Sequence, residues 1–142
     1  MTENRTGENR TVIAQFCDDF RQEIGNKFSL MGCYGTDLFV PKFPITLPKL
    51  CVFVYVRTPK ENPFGTLTLS VMRGNQALAT LRANPDRLDP AEELPGWTRW
   101  LSMTGVLVMA PFNAVEPCDL RVQAQTESEI IESGRFVIRK MA

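Results

Sequence analysis

Two groups of acids are dense enough to suggest chemistry. Asp18 and Asp19 adjoin, with Glu23 close by, and adjacent carboxylates are what a Ca²⁺ site or an acid/base pair needs. Asp86, Asp89, Glu92 and Glu93 form the second group, in a proline-rich connection. If two such loops met at one end of a β domain, Asp18, Asp19, Asp86 and Asp89 would be calcium ligands, with Asp37 a further candidate. Local geometry opposes this. Neighbours in a strand point to opposite faces, so only one of Asp18 and Asp19 can face a given site. The second group lacks the Asp-x-Asp spacing that hard cations favour, and Asp89 serves better as a helix cap. The plainer reading is solvated acids at strand ends and turns, and no metal or cofactor is expected.

Trp97 and Trp100 flank Arg99, and tryptophan and arginine dominate binding hot spots. In a strand the two rings face opposite ways, one into the core and one outward. Trp100, Arg99, Val106 and Val108 are therefore the candidate partner-binding residues. Arg135, Arg139 and Lys140 read as protection of a sheet edge rather than as a phosphate site. Neither a P-loop nor a dinucleotide-binding glycine pattern occurs. The chain has no histidine, which removes His-based nucleophile activation and His-based zinc sites. An enzyme built on carboxylate, lysine or tyrosine chemistry is disfavoured, not excluded. Cys17, Cys33, Cys51 and Cys118 contain no Cys-x-x-Cys pair, and each lies in or beside an apolar run. They read as reduced, half-buried thiols, with disulfides as the alternative.

The whole-chain balance narrows the partners. With 16 basic and 16 acidic residues the 142-residue chain has no net charge, so no global field draws it to nucleic acid or to anionic membrane. Its length suits a single domain with one core. The longest uncharged stretch, residues 100–115, is too short and too polar to span a bilayer, and residues 1–10 lack the apolar segment of a secretory signal. Cytoplasmic localisation is the expectation.

The elements that must position these residues follow a period of two. Residues 66–71 alternate Leu67, Leu69 and Val71 with hydroxyl side chains, the pattern of a half-buried strand, and 120–125 and 135–139 alternate likewise. Residues 50–56 are apolar on both faces, as in a central strand covered on both sides by sheet, loop or partner. Further strands are expected over 12–20, 28–34, 77–81 and 97–109, the last broken near Gly105. Hairpin turns are expected at residues 25–27, 73–76 and 132–134. One short helix is expected over 89–94, with Asp89 as N-cap and Pro90 in first position. Residues 1–10, which carry the repeat Glu-Asn-Arg-Thr, read as a mobile tail, and 11–142 as one domain. The fold expected is all-β: an antiparallel two-sheet sandwich of seven to nine strands with one connecting helix, a small barrel being the alternative.

Phe16, Cys17 and Asp18, then Gly25, Lys27, Ser29, Leu30 and Gly32, then Phe43 and Pro44, form a pattern that resembles a family of small uncharacterised bacterial β proteins. Asn26 stands where that pattern has a second glycine. The resemblance implies a sandwich-like domain in bacterial cytoplasm, with no activity, cofactor or functional residue to carry over. The expected function is non-catalytic: binding an unidentified protein partner or self-association.

Overall fold

A computed structural model of the chain describes residues 10–84, 89–90 and 100–142, and over these the protein is all-β. The first three strands are β1 (Thr11–Glu23), β2 (Lys27–Cys33) and β3 (Asp37–Val40). Next come β4 (Ile45–Leu47), β5 (Leu50–Pro59), β6 (Leu67–Arg73) and β7 (Gln76–Ala83). The last five are β8 (Asp89–Pro90), β9 (Trp100–Met109), β10 (Phe112–Ala114), β11 (Cys118–Thr126) and β12 (Ile130–Lys140). They assemble into one sheet in the order β2-β1-β5-β9-β8, a second in the order β3-β12-β11-β6-β7, and a two-stranded ribbon, β10-β4.

Alternation explains how the two large sheets share one core. Leu50, Val52, Val54 and Val56 occupy every second position of β5 and are buried together with Leu69, Val71, Leu120, Val122, Phe136 and Ile138 of the other sheet. Phe16 of β1 stacks on Phe136 of β12 with ring centroids 5.2 Å apart. Gly105 marks a close approach between sheets. A Cβ there would lie 2.9 Å from a methyl carbon of Leu81, so the missing side chain makes room for leucine. The expected break at Gly105 is absent, since β9 pairs without interruption along β5 from Met109 to Trp100.

Four expectations need correction. The second sheet is mixed: β3 runs parallel to β12, with Val137 opposite Asp37, whereas every other pairing is antiparallel. Residues 132–134 are no hairpin turn but a bulge inside β12. Arg121 faces Arg135 and Val122 faces Ser133, which leaves Gly134 as the extra residue at φ 75°. The chain reverses earlier, where the Thr126 hydroxyl accepts from the N–H groups of Ser128 and Glu129. Asp89 and Pro90 form an extended pair against Ser102 and Leu101, so Asp89 caps no helix; residues 91–94 lie outside the described residues. Finally, Arg10 belongs to the domain rather than to a tail. Only 3% exposed, it bonds Glu127 at 2.7 Å, donates to the carbonyls of Asn62 and Pro63, and lies over the Phe64 ring.

The turns at 25–26 and 74–75 form as expected. Gly25 and Asn26 both have positive φ, and Gly74 does so at the first position of a two-residue loop between Arg73 and Gln76.

Candidate functional site

The two outer faces of the protein differ in kind. On the second sheet Arg139 bonds Asp37 at 2.6 Å, Arg135 bonds Asp119 at 2.9 Å, and Arg121 reaches Asp119 and Glu132 at 3.8 and 3.6 Å. These charges are paired with opposite ones, so this part of the surface is largely neutralised within itself. Arg135 and Arg139, expected to guard an edge, pair with acids of neighbouring strands instead.

The other sheet presents apolar and aromatic side chains outward. Partners in an antiparallel ladder share a face, so the register of β1, β5 and β9 lays out the surface in rows. One row is Ile13, Tyr55 and Thr104; the next is Gln15, Phe53 and Val106; the third is Cys17, Cys51 and Val108. Ile13 is 55% and Val108 43% exposed. At one end Arg57 lies over the Trp100 ring, 4.3 Å from its centre, a cation–π contact between strand neighbours. No carboxylate occurs in these rows.

The far end of this face is covered by the β1–β2 hairpin. Phe28 is opposite Gln22 and Phe53 opposite Gln15, seven positions apart on β1, about 23 Å in an extended strand. Yet the rings of Phe28 and Phe53 meet edge to face at 5.3 Å. β1 must therefore curl and bring the hairpin tip over the sheet. Gly32 allows the curl: its φ is 65°, and a Cβ there would collide with the Asp18 carboxylate.

The acids named as calcium candidates are not gathered. Asp18 accepts the Tyr34 hydroxyl, while Asp19 pairs with Lys49 at 2.7 Å and accepts the Phe20 N–H. The Lys49 ammonium, with that N–H, holds the Asp19 carboxyl below the usual carboxylate range. Burial, reinforced by Asp18, pushes the Tyr34 hydroxyl up. Asp89 pairs beside Ser102, in line with Arg57 and Thr11, so the length of β1 between Thr11 and Asp18 separates it from the first acidic pair. Asp86 lies outside the described residues, as do Trp97 and Arg99. Asp37 is bound to Arg139. Among the described residues no group of three or more Cys, Asp or Glu is placed to hold a metal ion.

Of the partner-binding candidates, Trp100, Val106 and Val108 fall on one face, as every second residue of β9 must. Ile13, Phe53, Tyr55 and Arg57, which share that face, were not singled out by sequence. The signal was present in the doubly apolar stretch 50–56, which asked for cover on both sides. Two clefts lie elsewhere, of about 390 and 500 Å³, both beside Gly74 and Asp119. The second is also lined by Cys118, with Arg73, Glu116 and Asp119 around it, and burial pushes the Cys118 thiol up.

Fold and surface together define an all-β protein with one ionic and one apolar sheet face. The chain matches no protein-family model, no curated protein and no solved structure. Among the described residues no helix is long and apolar enough to cross a membrane.

Proposed function

We propose that the protein is a non-catalytic assembly module of the bacterial cytoplasm, a two-sheet β-sandwich of the family of small β proteins that its Gly-x-Lys-x-Ser-Leu-x-Gly segment resembles. Its partner is a second copy of itself. The observation that carries this is the outer face of β1, β5 and β9, where Ile13, Phe53, Tyr55, Val106, Val108 and Trp100 adjoin with no carboxylate among them. Three strands by seven residues span about 14 by 23 Å of sheet plane, roughly 300 Å², with Cys17 and Cys51 buried at one end and Ile13 and Val108 the exposed large apolar side chains. A second copy fits because Ile13, Phe53, Tyr55, Val106 and Val108 are uncharged, while Arg57, held over the Trp100 ring, and Asp89 lie together at one end of the face. Copies of a chain with no net charge also approach without repulsion. The area is below the ~800 Å² per partner of a standard interface, so the dimer is weak, in the micromolar range.

Light scattering after size exclusion, in reductant and across concentration, tests this. The expected result is a mass rising from one chain to two, and Val108→Lys, which buries an unpaired ammonium at the contact, weakens the association more than tenfold. A monomer at every concentration, or a dimer indifferent to Val108→Lys and Tyr55→Glu, overturns the proposal.

A further inference from the structure

Three of the four thiols stand abreast. The registers of β2, β1 and β5 place Cys33, Cys17 and Cys51 in one row across three neighbouring strands. We propose that Cys33 and Cys17 form a redox-active pair, an exposed thiol that hydroperoxides oxidise and a buried neighbour that closes a reversible cross-strand disulfide with it. The inference stands on the cysteine row alone and is independent of self-association.

Cys17 has two neighbours, and the backbone ladder selects between them. The Tyr34 N–H donates to the Phe16 carbonyl across β1 and β2 at 2.9 Å, so that carbonyl points to β2 and the Cys17 N–H beyond it points to β5. Cys17 and Cys33 are thus a non-hydrogen-bonded pair, with Cα atoms about 4.5 Å apart and side chains at their closest. That lies inside the range of about 4.4–6.8 Å that a disulfide spans. Cys17 and Cys51 face each other at the wider, hydrogen-bonded spacing, and the Cys51 thiol is directed at the Asp18 carbonyl, 3.8 Å away.

Exposure then separates the roles. Cys33 is exposed and meets oxidant from solvent, whereas Cys17 is completely buried. Burial, with Cys51 and Cys33 beside it, pushes the Cys17 thiol up to about 11, so it remains neutral and unreactive toward peroxide itself. In the first step the Cys33 thiolate attacks one peroxide oxygen. The O–O bond breaks, the thiolate becomes a sulfenic acid, and the leaving oxygen departs as water or alcohol. In the second, the Cys17 sulfur displaces that hydroxyl, forming the S–S bond and releasing water. Two thiols have then lost two electrons, and the peroxide has gained them. A dithiol reductant reverses the bond by exchange, and a disulfide bridging adjacent strands at a sheet edge is of the accessible, labile kind.

The test treats the reduced full chain with hydrogen peroxide near neutral pH, counts free thiols and maps disulfide peptides. The expected result is loss of two of the four thiols within one chain, a Cys17–Cys33 peptide, and full recovery with a dithiol. In Cys33→Ser, altered only at an exposed strand end, no thiol is lost under the same treatment. Cys17→Ser leaves Cys33 as a sulfenic acid that dimedone traps. If Cys17→Ser does not fold, Cys33→Ser and the peptide map decide alone. A peptide joining Cys17 to Cys51, a Cys33 that ends as sulfinic acid or bridges two chains while Cys17 stays free, or no thiol loss overturns the proposal.

Discussion

Arg10 shows how a single residue ties distant parts of the fold. Among the described residues it is the only buried charged side chain, and it joins the start of β1 to the loop at Asn62 and to the β11–β12 turn. Arg10→Ala strands two carboxylates, Glu127 and Glu129, and removes the cation over Phe64. Because Glu127 and Glu129 are about one-third exposed and Glu127 keeps the Gly65 N–H, the loss is about 1–3 kcal/mol, less than for a fully buried pair, read as a lower midpoint in urea unfolding with unchanged slope. Glu127 makes the clamp pH-dependent. Desolvation pushes its carboxyl up, but the Gly65 N–H and the Arg10 guanidinium outweigh this and hold it at about 2, below the ordinary 4.5. A folded-state value below the unfolded one means the contribution is complete above pH 4.5 and is lost as pH falls toward 2. Thermal unfolding followed across that window should show the wild type losing stability, and Glu127→Gln, which has no proton to gain, losing less. Equal slopes would mean that Glu127 contributes nothing to acid sensitivity.

At the scale of elements, two departures from regular strand geometry fall at glycines, while the bulge of β7 at Leu78 does not. Gly134 carries the β12 bulge at φ 75°, and a Cβ there would lie 2.9 Å from the Cβ of Ala14 in the facing sheet. Gly134→Val therefore meets backbone strain and overlap together, and a loss of about 2–4 kcal/mol is expected in chemical unfolding. The curled hairpin gives a different outcome. Phe28→Ala removes the contact with Phe53 but touches nothing in the main core, so amides of residues 20–30 should exchange faster while those of β5 and β11 keep their protection. Uniform protection would mean the hairpin is held by its backbone alone. These elements also show what could be read from sequence. Period-two alternation located β6, β11 and the second half of β12, because half-burial writes itself into every second residue, whereas β5 was legible from a run apolar on both faces. Short strands such as Asp37–Val40 and Ile45–Leu47 have too few positions to show a period, and only their partners define them. Glu132-Ser133-Gly134 contains turn chemistry, yet a left-handed glycine serves a bulge equally well, and only the register shift distinguishes the two. The apolar face was half legible: Trp100, Val106 and Val108 were readable on β9, while Tyr55 and Arg57 needed the β5–β9 register to join them.

At the scale of the whole molecule, the contrast between faces makes a prediction of its own. If the apolar sheet face is covered by a second copy, the unfolding temperature rises with protein concentration, since mass action favours the state that binds. Arg57→Ala, which frees Trp100 from its cation, should reduce that dependence without altering the temperature reached at high dilution. The parallel pairing of β3 with β12 has a separate consequence. Asp37 is held by Arg139, 102 positions along the chain, and Phe16 rests on Phe136. β1 can pair with β2 and β5 as soon as these follow it, but β3 pairs in the sheet only with β12, so its four residues stay unpaired until that distant strand has been made. The β3 edge is therefore the last part of the second sheet to be paired.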